Sequence, residues 1–107
     1  MKLIITIVSK DDASTVMSEL IRKKFFVTKL SSSGGFLRSG NVTLMIGTSD
    51  DRVDSAIDII TEFSKSRKEL VPNSIVNEFG PLTSIPIEVN VGGATMFIVD
   101  VEKFIKI

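Results

Sequence analysis

The chain has 107 residues, with 13 Lys and Arg side chains against 13 Asp and Glu, and it contains no His, Cys, Trp or Tyr. A chain of this length is expected to form one domain, here residues 1–107. Without imidazole or thiol groups, the sequence excludes disulfide bonds, His- or Cys-ligated zinc sites, Ser–His triads and catalytic cysteines. The net charge of zero argues against a dedicated nucleic-acid-binding protein, because that class normally carries a strong basic excess.

No segment has the features of a targeting signal or a membrane span. The first apolar run, residues 3–8, is too short for the hydrophobic region of a signal peptide and is soon followed by charged residues. No other run approaches the length that is needed to cross a bilayer. We therefore expect a cytoplasmic protein without membrane association.

The first third of the chain has the pattern of a β-α-β unit. Residues 3–8 are mostly β-branched and apolar, which is typical of a buried strand. Asp11 and Asp12 are favourable N-caps, and the helix that follows them is expected to end at the lysines of residues 23–24. Residues 26–32 alternate as a second strand. The side chains that this alternation places on one face are Phe26, Thr28 and Leu30.

A second βα unit follows, after glycines that interrupt the pattern. Residues 41–47 alternate as a strand, and Asp50 and Asp51 precede a helix whose apolar residues recur at helical spacing as far as Phe63. From about residue 66 to residue 84 no period is visible, which predicts a long loop.

The last third predicts a β-hairpin and completes the fold. Residues 85–91 alternate as a half-buried strand, Gly92 and Gly93 predict a two-residue turn, and residues 94–101 return as a strand. Two βα units of similar length indicate an α+β, ferredoxin-like (split β-α-β) sandwich. Both helices would cover one face of the sheet. The other face would be bare and apolar, so we expect a homo-oligomer that packs sheet to sheet.

The segment 28–47 is the richest in features that bind ligands. Gly34 and Gly35 allow close approach of the backbone and expose N–H donors to an anion. Phe36 offers a ring on which a base could stack, and Arg38 offers a planar cation. The same residues also suit a Gly/Ser hairpin loop with Phe36 in the core, so both interpretations stay open at this point.

Two other sets of residues allow a functional and a structural interpretation. Asp50, Asp51 and Asp54 could hold a divalent cation, but acidic residues are also favoured at the start of a helix by its dipole. We favour the structural interpretation for these aspartates. Residues 92–95, Gly-Gly-Ala-Thr, could bring backbone close to a ligand held between subunits or could form an ordinary tight turn.

Several motifs together resemble one protein family over nearly the whole chain. The motifs are Thr28-Lys29-Leu30, Gly34-Gly35-Phe36-Leu37-Arg38, Gly40-Asn41, Gly47, Asp50-Asp51-Arg52-Val53-Asp54 and Val91-Gly92-Gly93-Ala94-Thr95. They resemble the PII-like cyclic di-AMP receptors, the PstA or DarA proteins of Gram-positive bacteria. The resemblance implies a PII-like homotrimer with a short T-loop, a long B-loop and one cyclic di-AMP in each cleft between subunits. It also implies a non-enzymatic signalling receptor that needs no cofactor and acts through a downstream protein partner.

The resemblance implies a role for individual residues of the ligand site. Thr28 would hydrogen-bond a buried adenine, and Gly47 would leave room for the base. Phe36 would stack on a base, with Leu37 beside it. Asn41 would hydrogen-bond the ligand directly.

The remaining expected contacts include positions where this chain departs from the family. Phe97 on the last strand would add an aromatic wall. N–H groups near Gly34 and Gly35, with either Lys29 or Arg38, would meet the negative charge of the ligand. The family often has Arg where this chain has Phe26 and Asn where it has Lys24, so stacking on Phe26 would replace a polar contact. The complete predicted ligand-binding set is Phe26, Thr28, Lys29, Gly35, Phe36, Leu37, Asn41, Gly47 and Phe97.

Other functions remain as alternatives. A PII-like sensor of ATP or ADP would share the fold and differ in its ligand. A small metal-dependent nucleotide-processing enzyme would use Asp50, Asp51 and Asp54. No carboxylate pair stands out as a general acid and base, so we predict neither catalytic residues nor a metal site. A purely structural trimer is a further alternative.

Overall fold

The computed structural model describes residues 1–30, 40–72 and 86–107, and these contain six strands and two α-helices. A short 3-10 turn, Asp50–Arg52, precedes the second helix. In chain order the elements are β1 (Lys2–Ser9), α1 (Lys10–Arg22), β2 (Phe26–Leu30), β3 (Asn41–Thr48), α2 (Val53–Ser64), β4 (Arg67–Pro72), β5 (Pro86–Val91) and β6 (Ala94–Asp100).

Four of the strands form one antiparallel sheet in the order β2-β3-β1-β6. Ile4 at the centre of the sheet is paired with Ile46 on one side and with Ile98 on the other. An open antiparallel sheet of this order with two helices is compatible with the predicted ferredoxin-like α+β fold. No helix of residues 1–30, 40–72 or 86–107 is long and apolar enough to cross a membrane.

The hydrophobic core lies between this sheet and the two helices. Each helix has one apolar stripe, and the residues that recur on it at intervals of three or four are fully buried, as Val16 and Leu20 are in α1 and Ile60 is in α2. On the sheet, alternate residues such as Ile4 and Leu44 are buried against these helices. The two-residue period of the strands therefore leaves the intervening side chains on the opposite face.

That opposite face carries no layer of secondary structure from the described part of the chain, and we call it the open face. Phe26 is 82% exposed and Phe97 is 53% exposed, although both are large apolar side chains. Apolar surface of this extent is unusual on a monomer. The residues that define the open face are Leu3, Ile5, Phe26, Thr28, Met45, Gly47, Phe97 and Val99.

The prediction of a loop from residue 66 to residue 84 is wrong for its first part. Residues Arg67–Pro72 form β4, which pairs antiparallel with β5 so that Arg67 lies opposite Val91. The strand was missed because the side chains of residues 67–70 are exposed. A strand without a buried face needs no alternation of apolar residues, and that alternation is the signal from which strands are predicted. Residues 73–85 lie outside the described part, and so does the prediction of a long B-loop there.

The predicted hairpin across Gly92 and Gly93 is also wrong. β5 pairs with β4, whereas β6 pairs with β1, so the two glycines connect strands of different sheets. Both have a positive φ, +81° and +85°, a backbone conformation that favours glycine. The N–H of Gly93 donates to the carbonyl of Ser64 at the end of α2. These glycines therefore redirect the chain from the ribbon into the main sheet.

Helix boundaries differ slightly from those predicted. Ser9 is the N-cap residue of α1, and Asp11 and Asp12 lie in its first turn instead of capping it. Likewise Asp50 belongs to the 3-10 turn, which follows Ser49. The acidic residues still lie where the helix dipole favours negative charge, so their physical role is the expected one.

Candidate ligand-binding site

Four of the predicted ligand-binding residues lie in two neighbouring rows on the open face. Phe26 is paired with Gly47, and Thr28 is paired with Met45 on the same two strands. The second row continues through β1 to Phe97 on β6. Rows that are two residues apart along a strand are separated by about 7 Å. The pairing of the sheet therefore brings Phe26, Thr28, Gly47 and Phe97 onto one surface.

A cavity of about 620 Å³ opens on this surface, and we call it the open-face cavity. Phe26, Thr28 and Gly47 line it, while Phe97 is not among its walls. Its volume lies in the range of small-molecule binding sites, about 300–1,000 Å³. Its other lining residues are Met1, Leu3, Met45, Val101, Phe104 and Lys106.

Gly47 leaves open space above the sheet. A Cβ atom built on it would meet no atom within 4 Å, other than its own chain neighbours, and its φ is in the ordinary range for any residue. The glycine is therefore not required by the backbone of β3. What it provides is room, because any larger side chain at this position would project into the open-face cavity.

Phe26 presents a free ring face on the other side of that space. The ring is 82% exposed, and the Lys106 Nζ lies 6.0 Å from its centroid. This distance is at the outer limit of a cation–π contact. The chain thus holds an accessible aromatic plane beside a cavity with mainly apolar walls, an arrangement that suits a flat heterocycle.

The segment after β6 supplies walls that lie outside the predicted ligand-binding set. The Val101 N–H donates to the Met1 carbonyl at 3.1 Å, which ties the end of β6 to the start of β1. Phe104 and Lys106 then line the cavity further along the segment. The sequence carried two signals for this segment: the apolar character of a short tail after the last strand, and Lys106 at a position where some members of the family have a polar contact.

Asn41 lies at the opposite end of β3 from Gly47, in a second pocket of about 330 Å³ that we call the Asn41 pocket. Six residues separate Asn41 from Gly47 along the strand, which corresponds to about 20 Å. Gly92, Gly93 and Thr95 share this pocket. The motif at residues 92–95 and Asn41 are therefore neighbours, and both are distant from the open-face cavity of the same chain.

An ion pair lies next to Ser9 and Gly92, two residues that line the Asn41 pocket. Arg67 donates to the two carboxylate oxygens of Asp12 at 3.0 and 3.2 Å, and the Ser9 hydroxyl donates to the same carboxylate at 3.1 Å. The Arg67 guanidinium holds the pKa of Asp12 below its usual value, against the effect of burial. A Cβ atom on Gly92 would lie 2.7 Å from Arg67 Nη1. Glycine at this position thus lets the backbone pass close to the ion pair.

Arg52 fixes the entry into β2 near the other end of the molecule. Its guanidinium lies 4.0 Å from the centroid of the buried Phe25 ring, and its Nη2 donates to the Lys23 carbonyl at 2.6 Å. These contacts join the end of α1 to the start of α2, immediately before Phe26 in the sequence. The motif residue Arg52 therefore positions the strand that carries the aromatic ring.

The other predicted site residues are placed as follows. Lys29 is paired with the buried Leu44 and so lies on the face opposite Thr28, outside the open-face cavity. Gly35, Phe36 and Leu37 lie outside the described residues. The roles given to these four residues stay predictions.

The aspartates considered for a metal site are not gathered into one. Asp50 makes an ion pair with the amino group of Met1 at 3.0 Å. Within the described ranges no three His, Cys, Asp or Glu residues lie close enough together to hold a metal ion.

Comparison with known protein families gives a match over the whole chain. The family model described as "Cyclic-di-AMP receptor" covers residues 1–107. The chain belongs to the cyclic-di-AMP receptor family. This confirms the family that its motifs predicted.

A solved structure of similar fold supports the architecture of this member of the cyclic-di-AMP receptor family. It is described as the crystal structure of a functionally unknown protein from Pediococcus pentosaceus ATCC 25745. The two sequences are 39% identical, the match covers 99% of this chain and 96% of that one, and the TM-score is 0.77. The similarity therefore extends over nearly all of both chains.

Proposed function

We propose that this protein is a non-enzymatic cytoplasmic receptor that binds cyclic di-AMP in the clefts between the subunits of a PII-like homotrimer. The observation that carries the proposal is the open-face cavity, where Phe26, Thr28 and Gly47 meet. Its physical features match what an adenine requires: an aromatic plane, a hydroxyl group and room for the base. The family to which the chain belongs supplies the identity of the ligand.

Recognition of the first adenine rests on the open-face cavity. The base stacks on Phe26, an interaction worth about 1–3 kcal/mol for each base in single-stranded nucleic-acid complexes. The Thr28 hydroxyl hydrogen-bonds the edge of the base, and the space above Gly47 accommodates it. Stacking on Phe26 also explains how this chain manages without the Arg that the family often has there.

The distance between the two ends of β3 supports a site that is shared between subunits. Asn41 and Gly47 of one chain are about 20 Å apart. A second copy that covers the open face brings its Asn41 pocket, with Gly92 and Gly93, to the open-face cavity of the first. Repetition of this contact around a threefold axis closes a ring and gives three equal sites.

The same arrangement covers the exposed apolar surface. Phe97 is 53% exposed and Val99 is 43% exposed in the single chain, and both lie on the open face. Burial of apolar area contributes about 25 cal/mol for each Å². In the proposed trimer, Phe97 forms part of the wall between subunits, while Phe36 and Leu37 approach the ligand from the segment that follows β2.

Isothermal titration calorimetry with cyclic di-AMP, cyclic di-GMP, ATP and ADP tests the proposal. We expect cyclic di-AMP to bind most tightly, and Thr28→Val to weaken its binding about tenfold, the effect of losing one hydrogen bond of about 1.4 kcal/mol. Thr15→Val, on the exposed surface of α1, is the matched control and should leave affinity unchanged. Tighter binding of ATP or ADP than of cyclic di-AMP would instead identify a nucleotide-charge sensor, and turnover of the ligand with Mg²⁺ or Mn²⁺ would identify an enzyme.

A further inference from the structure

The turn between α1 and β2 contains a left-handed residue that is not glycine. Lys24 has a φ of +70°. Its N–H donates to the Ile21 carbonyl at 2.9 Å, and the Phe25 N–H donates to the Leu20 carbonyl at 3.0 Å. These two hydrogen bonds form the Schellman motif that ends many helices, in which glycine usually occupies the left-handed position. A lysine in that conformation is disfavoured by its Cβ atom, so the backbone of the turn is strained.

Arg52 holds this strained turn from outside. Its Nη2 donates to the Lys23 carbonyl at 2.6 Å, and its Nη1 donates to the Lys24 carbonyl at 3.5 Å. The two carbonyls flank the Cα atom of Lys24, so one planar guanidinium restricts the backbone on both sides of it. Arg52 is itself fixed, because its N–H donates to the Ser49 carbonyl at 3.0 Å and its side chain lies over the Phe25 ring.

The position of Phe26 depends on this turn more than on packing. Phe26 is the first residue of β2, which lies at the edge of the main sheet and, in the described part of the chain, pairs only with β3. Its ring is 82% exposed. Few side-chain contacts therefore fix the ring, and the backbone of the preceding turn sets where the strand begins. The described residues that line the open-face cavity include Phe26 but not Arg52.

We propose that Arg52 is a positioning residue for cyclic di-AMP, which holds Lys24 in the left-handed conformation and thereby keeps the Phe26 ring in place for the base. This inference rests on the proposed function. Without Arg52 the turn relaxes towards conformations that lysine prefers, and the start of β2 moves with it. The ring is then in the binding position for a smaller fraction of the time. A fall of that fraction to about one tenth weakens the apparent affinity about tenfold.

Calorimetric titration of cyclic di-AMP into single and double variants tests the inference. Arg52→Met keeps an unbranched side chain beside Phe25 but cannot donate to the two carbonyls, and we expect it to bind about tenfold more weakly. Glycine adopts the left-handed conformation without steric cost, so Lys24→Gly and the double variant Lys24→Gly/Arg52→Met should both bind within about threefold of the parent. Arg22→Met removes the same charge from an exposed position in the last turn of α1 and should stay within about twofold.

Salt dependence distinguishes positioning from a direct charge contact with the ligand. A cation that touches a phosphate contributes less at high ionic strength, whereas a turn held by hydrogen bonds to carbonyls changes little. We therefore expect the ratio of the affinities of the parent and Arg52→Met to agree within about twofold between about 50 mM and about 500 mM KCl. A ratio that shrinks by more than this would overturn the positioning role, because Arg52 would then act through its charge.

The other outcomes separate this inference from the function on which it rests. Equal affinity of the parent and Arg52→Met would overturn the inference and leave the receptor function intact. A loss that Lys24→Gly does not restore, or an equal loss in Arg22→Met, would do the same. Failure of the parent to bind cyclic di-AMP would overturn both.

Circular dichroism at the temperature of the titration establishes that each variant is folded. Weak binding by a folded Arg52→Met, restored by Lys24→Gly, is a result that a role in global stability alone does not produce. If Arg52→Met does not fold, Arg52→Lys takes its place in the same comparison, because lysine keeps the charge near Phe25 but lacks the planar fork that reaches both carbonyls.

Discussion

Asp12 and Arg67 form a two-point ion pair that joins the first turn of α1 to the first residue of β4. The carboxylate of Asp12 is 8% exposed, and the guanidinium of Arg67 is 42% exposed. Arg67 also donates to the Lys65 carbonyl at 3.3 Å. Within the described ranges, this ion pair therefore links the β4–β5 ribbon to α1.

Removal of Arg67 should destabilise the protein. Arg67→Met leaves the mostly buried Asp12 carboxylate without its main partner, and we expect a loss of about 1–2 kcal/mol in the free energy of unfolding. The expected loss in the free energy of unfolding is smaller than for a fully buried ion pair, because Arg67 is partly exposed. Urea denaturation measures it. Lys68→Met is the control, since its 3.6 Å pair with Glu88 is exposed on both sides, and an equal loss there would contradict the special role of Arg67.

Stability should also depend on pH through Asp12. The pKa of Asp12 lies below its usual 3.8, mainly because Arg67 donates to the carboxylate. A lowered folded-state pKa means that the contribution to stability is complete above 3.8 and is lost as the pH falls through the folded-state value. We predict that the free energy of unfolding of the parent falls more steeply below about pH 4 than that of Asp12→Asn. Parallel curves for the two proteins between about pH 5 and about pH 2 would show that Asp12 does not contribute.

Three glycines should respond differently to alanine. Gly92→Ala places a methyl group 2.6 Å from the Lys65 carbonyl oxygen at a φ of +81°, so we expect a loss of about 2–4 kcal/mol. Gly40→Ala meets no atom within 4 Å but has a φ of +96°, which costs about 1–2 kcal/mol. Gly47→Ala introduces no steric contact and requires no positive φ, so the free energy of unfolding should stay the same or rise slightly. Thermal unfolding of the three variants would contradict this account if Gly92→Ala were the mildest.

A mixing experiment should show whether the site uses two subunits. Gly47→Leu fills the open-face cavity and Asn41→Ala removes the amide of the Asn41 pocket, so each variant alone should bind cyclic di-AMP at least about tenfold more weakly. If the protein assembles as the proposed trimer, every assembly that contains both variants has one cleft in which both contributing surfaces are unchanged. Random assembly of equal amounts should therefore restore about one site in four.

Calorimetric stoichiometry before and after the two variants are unfolded and refolded together measures this recovery. The control is a sample in which the two variants are combined at the same concentrations but are not unfolded and refolded. Absence of any tight sites after subunit exchange would show that the Asn41 and Gly47 surfaces act within one chain or not at all.

The open face could be predicted because strands have a two-residue period. Once Phe26 and Thr28 are assigned to one face of β2, antiparallel pairing with β3 places Gly47 beside them, and their common position follows from alternation alone. The buried stripe of α2, which includes Ile60, followed from helical spacing in the same way. The resemblance to a known family then predicted which residues on that face contact the ligand.

What the sequence could not indicate depends on partners that are distant along the chain. Alternation in residues 85–91 predicts a strand but does not say whether its neighbour is β4 or β6. The ribbon strand β4 has mainly exposed side chains, so no apolar period marks it. Lys106 reaches Phe26 only because the segment after β6 folds back past Met1, and no local pattern records such a path.

The separation of Asn41 from Gly47 along β3 has a consequence for how affinity is measured. With the two ends supplied by different copies, as proposed, occupancy and assembly become linked equilibria. The ligand then stabilises the assembled form by mass action, and the apparent dissociation constant rises when the protein is diluted below the concentration at which subunits separate. Affinities obtained at different protein concentrations would be comparable only after the assembly equilibrium itself is known.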